Sequence, residues 1–270
     1  MSLRVTILGC GSSGGVPRVG GPDGAQWGAC DPNEPKNRRR RCSILVERVG
    51  PDGTTRLLID AGPDLRSQLL DAAVPNLDAV LITHEHADHV HGIDDLRPMV
   101  IARKERLDVW TDPDTAASLR DRFSYVFVQP EGSSYPPILT LKEMGESLTI
   151  EGAGGPITAV AHVVEHGPGI HARGFRFDDI AYTPDVSALD NAAWAALEGV
   201  NLWIVDALRR APHPTHSHLD RTLEWIERLG PQRAVVTNLH NDLDYATLCR
   251  ELPKTVIPAY DGLVLSLIHI

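Results

Sequence analysis

The chain is short of cysteine, of aromatic residues and of positive charge, and each shortage removes a class of protein. Four cysteines, Cys10, Cys30, Cys42 and Cys249, lie scattered through 270 residues with no Cys-x-x-Cys pair, too few for a disulfide framework. A reducing, cytoplasmic setting is therefore the expectation. Lys and Arg number 26 against 36 Asp and Glu, a formal net charge of -10, so no global field draws extended nucleic acid or an anionic membrane. An anionic substrate must be held by local cations or by metal ions. No apolar run approaches membrane-spanning length, and Leu3-Arg4-Val5-Thr6-Ile7-Leu8 reads directly as a strand with no charged-then-apolar leader, so no membrane partner is expected.

What the chain does have is a regular alternation of strands and helices. Hydrophobic residues make up 42%, enough for a full core, and a single domain over residues 1–270 is expected. Strand patterns cover residues 3–8, 43–49 and 55–60, followed by Pro63 and a helix through Leu70. Ala79-Val80-Leu81-Ile82 and Leu107-Asp108-Val109-Trp110 read as strands, with helices after His91 and from Pro113. The second half has strands at 157–164, 173–183, 201–206, 233–239 and 262–267, with helices at 187–197, 219–229 and 244–251. Strands first in each half, then alternating strand and helix, predict an α/β fold of two sheets packed face to face with helices outside. Residues 14–37 and 129–137 read as loops, the latter a candidate lid or homodimer contact.

Gly9-Cys10-Gly11-Ser12-Ser13-Gly14 has the spacing of a dinucleotide-binding glycine motif and follows a strand. That motif needs a helix to begin inside it, and Gly15-Val16-Pro17-Arg18-Val19-Gly20-Gly21-Pro22 cannot sustain one. A tight glycine loop beside the active site is the expectation instead.

The strongest signal is Thr83-His84-Glu85-His86-Ala87-Asp88-His89, three histidines and an aspartate at the carboxyl end of a strand, where α/β folds place chemistry. Imidazoles and a carboxylate in one short loop suit zinc, manganese or iron. One such loop cannot enclose two metals, so further ligands must come from distant strand ends, and His166, Asp185 and His240 each sit where a strand gives way to a loop. His162 competes with His166, although a residue inside a strand is more often packed. His91 is either a donor behind the ligands or a polar residue at a helix start.

These motifs resemble the metallo-β-lactamase superfamily over nearly the whole chain, with Leu57-Leu58-Ile59-Asp60-Ala61-Gly62 similar to its first motif and residues 83–89 to its second. The resemblance implies a four-layer αββα sandwich, with mixed sheets, and two divalent transition-metal ions, zinc or manganese foremost and iron admissible. By the same resemblance His84, His86 and His166 hold one ion, Asp88, His89 and His240 the other, and Asp185 bridges, while Asp60 supports without ligating. Two metals about 3.5–4 Å apart would lower the pKa of a shared water and neutralise charge on a substrate oxygen. Iron-redox relatives typically carry glutamate where this chain has His86, which favours hydrolysis.

Pro212-His213-Pro214-Thr215-His216-Ser217-His218-Leu219-Asp220 adds a third histidine cluster ahead of an amphipathic helix. It resembles the PhnP-like (phosphoribosyl cyclic phosphate) phosphodiesterase branch. That resemblance implies a small cyclic or nucleotide-like phosphodiester substrate, with His216 as general acid and Asp88 beside it as the second catalytic residue. His218 is the competitor of His216; His213 and His218 otherwise read as helix-start or surface residues. Asn37-Arg38-Arg39-Arg40-Arg41-Cys42-Ser43 also resembles this branch, and an arginine there, or Arg97, could clamp a phosphate. Some PhnP-like proteins hold a structural zinc with a cysteine cluster in the early loop; here Cys30 stands alone, so none is expected. The competing readings are a glyoxalase II-type thioesterase or lactonase, a tRNA 3'-processing endonuclease, and a catalytically silent binding protein on the same fold.

Overall fold

Side-chain alternation decides the layers. In the strand Gly53–Ile59, Leu57 and Ile59 point to one face and Leu58 to the other, and all three are fully buried, so both faces of that strand must be covered. Ala79–Leu81, Ile180–Thr183 and Leu202–Asp206 are buried throughout in the same way. The computed structural model describes residues 2–266 and shows what does the covering. Two seven-stranded mixed sheets face each other across Val5, Ile7, Ile44, Ile59 and Leu81 on one side and Phe175, Phe177, Tyr182, Ile204 and Val235 on the other. The outer face of the first sheet packs through Leu58, Val80 and Val109 beneath Leu65–Asp71, Arg97–Arg103 and Pro113–Arg122. The outer face of the second packs through Trp203, Val205 and Val236 beneath Asn191–Leu197, Leu219–Leu229 and Tyr245–Glu251. This is the αββα order expected from the sequence.

Each sheet is antiparallel on one side and parallel on the other. In the first, Gly53–Ile59, Ala79–Leu81, Leu107–Thr111 and Leu139–Glu143 run parallel; in the second, Ile180–Thr183, Leu202–Asp206, Arg233–Thr237 and Val256–Pro258 do. Parallel strands end at the same edge, so the residues just past Ile59, Leu81, Thr183, Asp206 and Thr237 are delivered to one rim.

Residues 173–183, which read as one strand, form the hairpin His171–Phe177 and Ile180–Thr183, because Asp178 takes a left-handed turn conformation (φ 51°). Leu139–Glu143, Ser147–Ile150 and Val256–Pro258 were not legible as strands; the first two are short and partly exposed, and the third is only three residues long. The last strand is Val264–Ser266, and residue 267 of its expected span lies outside the described residues. The early glycines form the expected tight loop: a Cβ at Gly9 would stand 2.0 Å from the Arg41 carbonyl oxygen, and no helix begins there. Among the described residues no helix is long and apolar enough to cross a membrane.

His162 lies inside the strand Ile157–Glu165, its ring occupying the space left by Gly174, where a Cβ would stand 2.1 Å from Nε2. That Nε2 is 3.2 Å from Thr183 Oγ1. Burial, aided by the Arg176 charge, holds the imidazole down at about 4. The unfolded chain takes up this proton near about 6.5, so the folded state loses roughly 3 kcal/mol as pH falls from about 6.5 to about 4. His162→Gln keeps a donor toward Thr183 without titrating. We expect its urea midpoint to fall less than that of the wild type between about pH 7 and about pH 4.5; an equal fall would show that His162 does not carry this acid sensitivity.

Candidate metal centre

The first ring of the site is fixed by Asp60, the residue that follows Gly53–Ile59. It is fully buried and left-handed (φ 66°), a conformation that costs a non-glycine residue about 1 kcal/mol and that aspartate tolerates when its carboxylate is bonded. Here it is: Thr83 donates to Asp60 from its backbone N (2.8 Å) and from Oγ1 (2.9 Å), and His89 Nδ1 donates to it at 2.7 Å. With its hydroxyl proton committed to Asp60, Thr83 Oγ1 accepts from His84 Nδ1 at 3.0 Å. Across the rim, His166 Nδ1 donates to the Thr215 carbonyl at 2.7 Å. His84, His89 and His166 thus have Nδ1 occupied from behind and turn Nε2 inward, as ligating histidines do.

These Nε2 atoms converge on Asp185, two residues past Ile180–Thr183 and 2% exposed. Its Oδ2 lies 3.7 Å from His84 and 3.4 Å from His166, and its Oδ1 lies 3.3 Å from His89. His86 Nδ1 is 3.1 Å from His166 Nε2. One potential ligand atom from each of His84, His86, His166 and Asp185 falls within 4.8 Å of the others, close enough to hold one ion. Asp88 Oδ2 sits 3.5 Å from His89 Nε2 on the other side of Asp185.

The electrostatics fit a cation. The Nε2 atoms of His84 and His89 are buried without a hydrogen-bond partner. Burial and the neighbouring histidines push His84 well below the usual imidazole range. Burial acts on His89 in the same direction, but Asp185, Asp60 and Asp88 together overcome it and draw His89 well above that range. Asp185, despite its burial, is held well below the carboxylate range by His89, His216 and His84. Three carboxylates around ring nitrogens therefore demand positive charge, which a divalent ion on this donor set supplies.

His216 stands at the same rim. Its Nδ1 donates to Asp206 Oδ2 at 2.8 Å, and its Nε2 is 3.9 Å from Asp185 Oδ2. Asp206 ends the strand Leu202–Asp206, is fully buried, and also accepts from Val186 N at 3.1 Å. Sequence reasoning missed Asp206 although its signal, a carboxylate at a strand end, is the one that found Asp185. Asn238 was missed as well: left-handed (φ 60°) and 2% exposed, it donates from Nδ2 to the Pro184 carbonyl at 3.0 Å and to Asp185 Oδ1 at 3.2 Å.

The structure therefore brings His84, His86, Asp88, His89, His166, Asp185 and His216 into direct contact with one another, and holds His240 from behind through Asp242. His240 Nδ1 is 3.1 Å from Asp242, and among the described residues no hydrogen bond, ion pair or ring contact joins it to the cluster. His218 stands just before Leu219–Leu229 and makes no side-chain hydrogen bond to its first turn, and exposed His91 packs edge-on against Phe123. The arginine run mostly stitches loops. Buried Arg39 donates to the Leu243 carbonyl (2.7 Å), Arg40 pairs with Asp261 and Asp71, Arg41 pairs with Asp64, and Arg38 lies over Trp27. Arg97 pairs with Asp94.

Because Asp60 orients His89 and, through Thr83, His84, we expect Asp60→Asn to weaken zinc binding by about tenfold to hundredfold in chelator competition, with the circular dichroism spectrum retained. Unchanged affinity would show that the histidines are oriented without it.

The chain matches the Beta-lactamase superfamily domain over residues 55–238. A diphosphatase from the PhnP family is 32% identical, with a TM-score of 0.84 and coverage of 99% of this chain and 98% of that one. Zn(2+)-bound PqqB from Methylobacterium extorquens, 19% identical, shares the fold with a TM-score of 0.74 over 98% of this chain and 100% of that one. An octanoyltransferase of Porphyromonas gingivalis is 32% identical over 268 residues, which are 97% of this chain and 51% of that protein, so the chain spans about half the length of that relative. With a domain match over most of its length and whole-length similarity to the diphosphatase, the chain belongs to the metallo-β-lactamase superfamily and, within it, to the PhnP family.

Proposed function

We propose that the protein is a two-metal hydrolase that cleaves a P–O bond in a small cyclic or nucleotide-like phosphodiester. The observation that carries this reading is the placement of His216, backed by Asp206 through Nδ1 and turned through Nε2 toward Asp185. His84, His86, His166 and Asp185 would hold one ion, and Asp88, His89, His240 and Asp185 a second. Ions bound there supply Lewis acidity, lowering the pKa of a coordinated water and neutralising charge on phosphoryl oxygens.

The chain's own residues account for the other half of the reaction. An alkoxide leaves a phosphodiester poorly unless it is protonated as the bond breaks. Burial lowers the affinity of His216 for its proton, but the Asp206 carboxylate at 2.8 Å outweighs it and raises the imidazole to about 9. Burial raises Asp206 itself to about 6 against the pull of His216. Between these values the pair is an imidazolium held by a carboxylate, with the Nε2 proton facing the cluster, ready to pass to the leaving oxygen. Arg18, whose side chain makes no hydrogen bond or ion pair among the described residues, is a cation left to meet an anionic substrate, whereas Arg39 and Arg40 are already engaged.

The diphosphatase relative supports chemistry at phosphorus. The octanoyltransferase likeness raises acyl transfer as a second reading, but the cysteines that lie beside the strand-end loops, Cys10 and Cys42, are poorly suited to carry an acyl group. Cys10 and Cys42 are fully buried, and burial pushes both thiols well above their usual range.

Zinc- or manganese-loaded protein is expected to hydrolyse bis-p-nitrophenyl phosphate in preference to thioesters; the reverse preference would overturn the reading. His216→Ala should keep its metal but lose about 10²–10⁴ in kcat on alkyl esters, and less on p-nitrophenyl esters, whose leaving group needs no proton. Loss of metal instead would make His216 a ligand. The alkaline limb of kcat should fall at or below about 9, since bound cations repel the imidazolium, and Asp206→Asn should move that limb to lower pH. A limb indifferent to Asp206 would exclude the pair as the acid.

A further inference from the structure

The histidines of the rim differ in what stands behind their rings. An oxygen lies behind Nδ1 of His84, His89, His166, His216 and His240. His213 has the opposite backing. The backbone N of Thr215 donates to His213 Nδ1 at 3.3 Å, and Thr215 Oγ1 lies 3.2 Å from the same atom. A backbone N–H only donates, so this Nδ1 carries no proton, the ring is neutral, and its one N–H is on Nε2. Burial, with the charges of His216, Arg209 and His240, holds the imidazole below its ordinary range, in agreement with that tautomer. The residue is half-buried, and its Nε2 makes no hydrogen bond among the described residues. The backbone that carries it is stiff. Pro212 and Pro214 bracket it, the second confining His213 to extended conformations. Arg209 braces the approach, donating to the Ala211 and Pro212 carbonyls at 3.0 and 2.7 Å. The ring stands 5.2 Å from that of His216, centroid to centroid. A distance of 3.9 Å joins His216 to Asp185, whereas the charges that reach His213 are those of His216, Arg209 and His240, which places His213 on the outer side of the general acid.

We propose that His213 is a specificity-determining residue, a fixed Nε2–H donor to an oxygen of the leaving group that sits one carbon away from the oxygen His216 protonates. The inference rests on the reading of His216 as the acid of a phosphodiester hydrolase. With a donor behind it, the ring offers a proton-bearing nitrogen to the site, which suits neither metal ligation nor proton abstraction. Phosphoryl oxygens carry charge and belong to the cations; a neutral N–H beside the acid suits an uncharged hydroxyl or ether oxygen. Two rings 5.2 Å apart can each meet one of two oxygens on adjacent carbons, since each hydrogen bond spans about 2.9 Å. The substrate class is thereby narrowed to diesters of sugar-like polyols. A leaving group without the second oxygen leaves Nε2–H unpaired in the complex, and the site discriminates against it.

Two cyclic diesters that differ by one hydroxyl provide the test: glycerol 1,2-cyclic phosphate, and propane-1,2-diol cyclic phosphate, which lacks the hydroxyl next to the secondary ester oxygen. Zinc- or manganese-loaded wild type, followed by phosphorus NMR, is expected to favour the glycerol ester by about three- to tenfold in kcat/KM, the worth of one neutral hydrogen bond. His213→Ala should keep its metal and stay within about twofold of the wild type on the propanediol ester while losing the preference. His213→Gln, whose amide N–H reaches about as far as Nε2, should retain most of it. No preference in the wild type, its persistence in His213→Ala, its loss in His213→Gln, or an equal fall on both esters in His213→Ala would overturn the assignment while leaving the hydrolase reading intact. Hydrolysis of bis-p-nitrophenyl phosphate but of neither cyclic ester would do the same. Hydrolysis of none of the three would overturn both.

Discussion

Asp185 keeps a carboxylate at 2% exposure with four imidazole rings inside 4 Å, and the architecture can be understood as what is required to hold it there. A charge buried this deeply is tolerated only with close, well-aimed partners. No single segment can provide them. The partners come from the loop after Ala79–Leu81, from the end of Ile157–Glu165, and from the segment between Leu202–Asp206 and Leu219–Leu229. Two face-to-face sheets whose parallel strands finish at a common rim bring these ends together.

The aim of each partner is set one bond further out. Asp60 receives Thr83 and His89, Thr83 receives His84, the Thr215 carbonyl receives His166, and Asp206 receives His216. Every outer acceptor takes an Nδ1 proton and leaves Nε2 for the interior, so the same device serves ligation and acid catalysis. What separates the two roles is the charge balance. His84 is surrounded by other histidines and stays neutral, whereas His216 has a buried carboxylate of its own and keeps its proton.

The arginine run illustrates how a motif can be present and its local role remain hidden. A basic stretch beside a phosphate-directed site suggests a clamp, yet Arg39 is 2% exposed and spends its donors on loop carbonyls, and Arg40 neutralises Asp261. Those contacts join the early loop to residues some two hundred positions away, a partnership that no local pattern reveals. Arg18, outside the run and without distinguishing sequence context, has a buried Nε with no partner among the described residues.

The sequence by itself determined the layers, the family and the inner cluster, because each is written in local periodicity or spacing. Alternation in Leu57-Leu58-Ile59 requires cover on both faces, and His84, His86, Asp88 and His89 fall in one six-residue stretch just past a strand end. His166 and Asp185 were legible for the same reason, as polar residues placed where apolar strands stop. The tertiary structure alone decided the rest. Whether His162 or His166 faces the cluster depended on a space opposite Gly174; the backing of His240 Nδ1 depended on Asp242; and Asp206 acquired meaning only when a histidine ten residues later folded back onto it. Spacing along the chain limits which ligands can share a loop, but the direction of a side chain after a turn is set by backbone dihedrals and by partners distant in sequence, and those exist only in the folded chain.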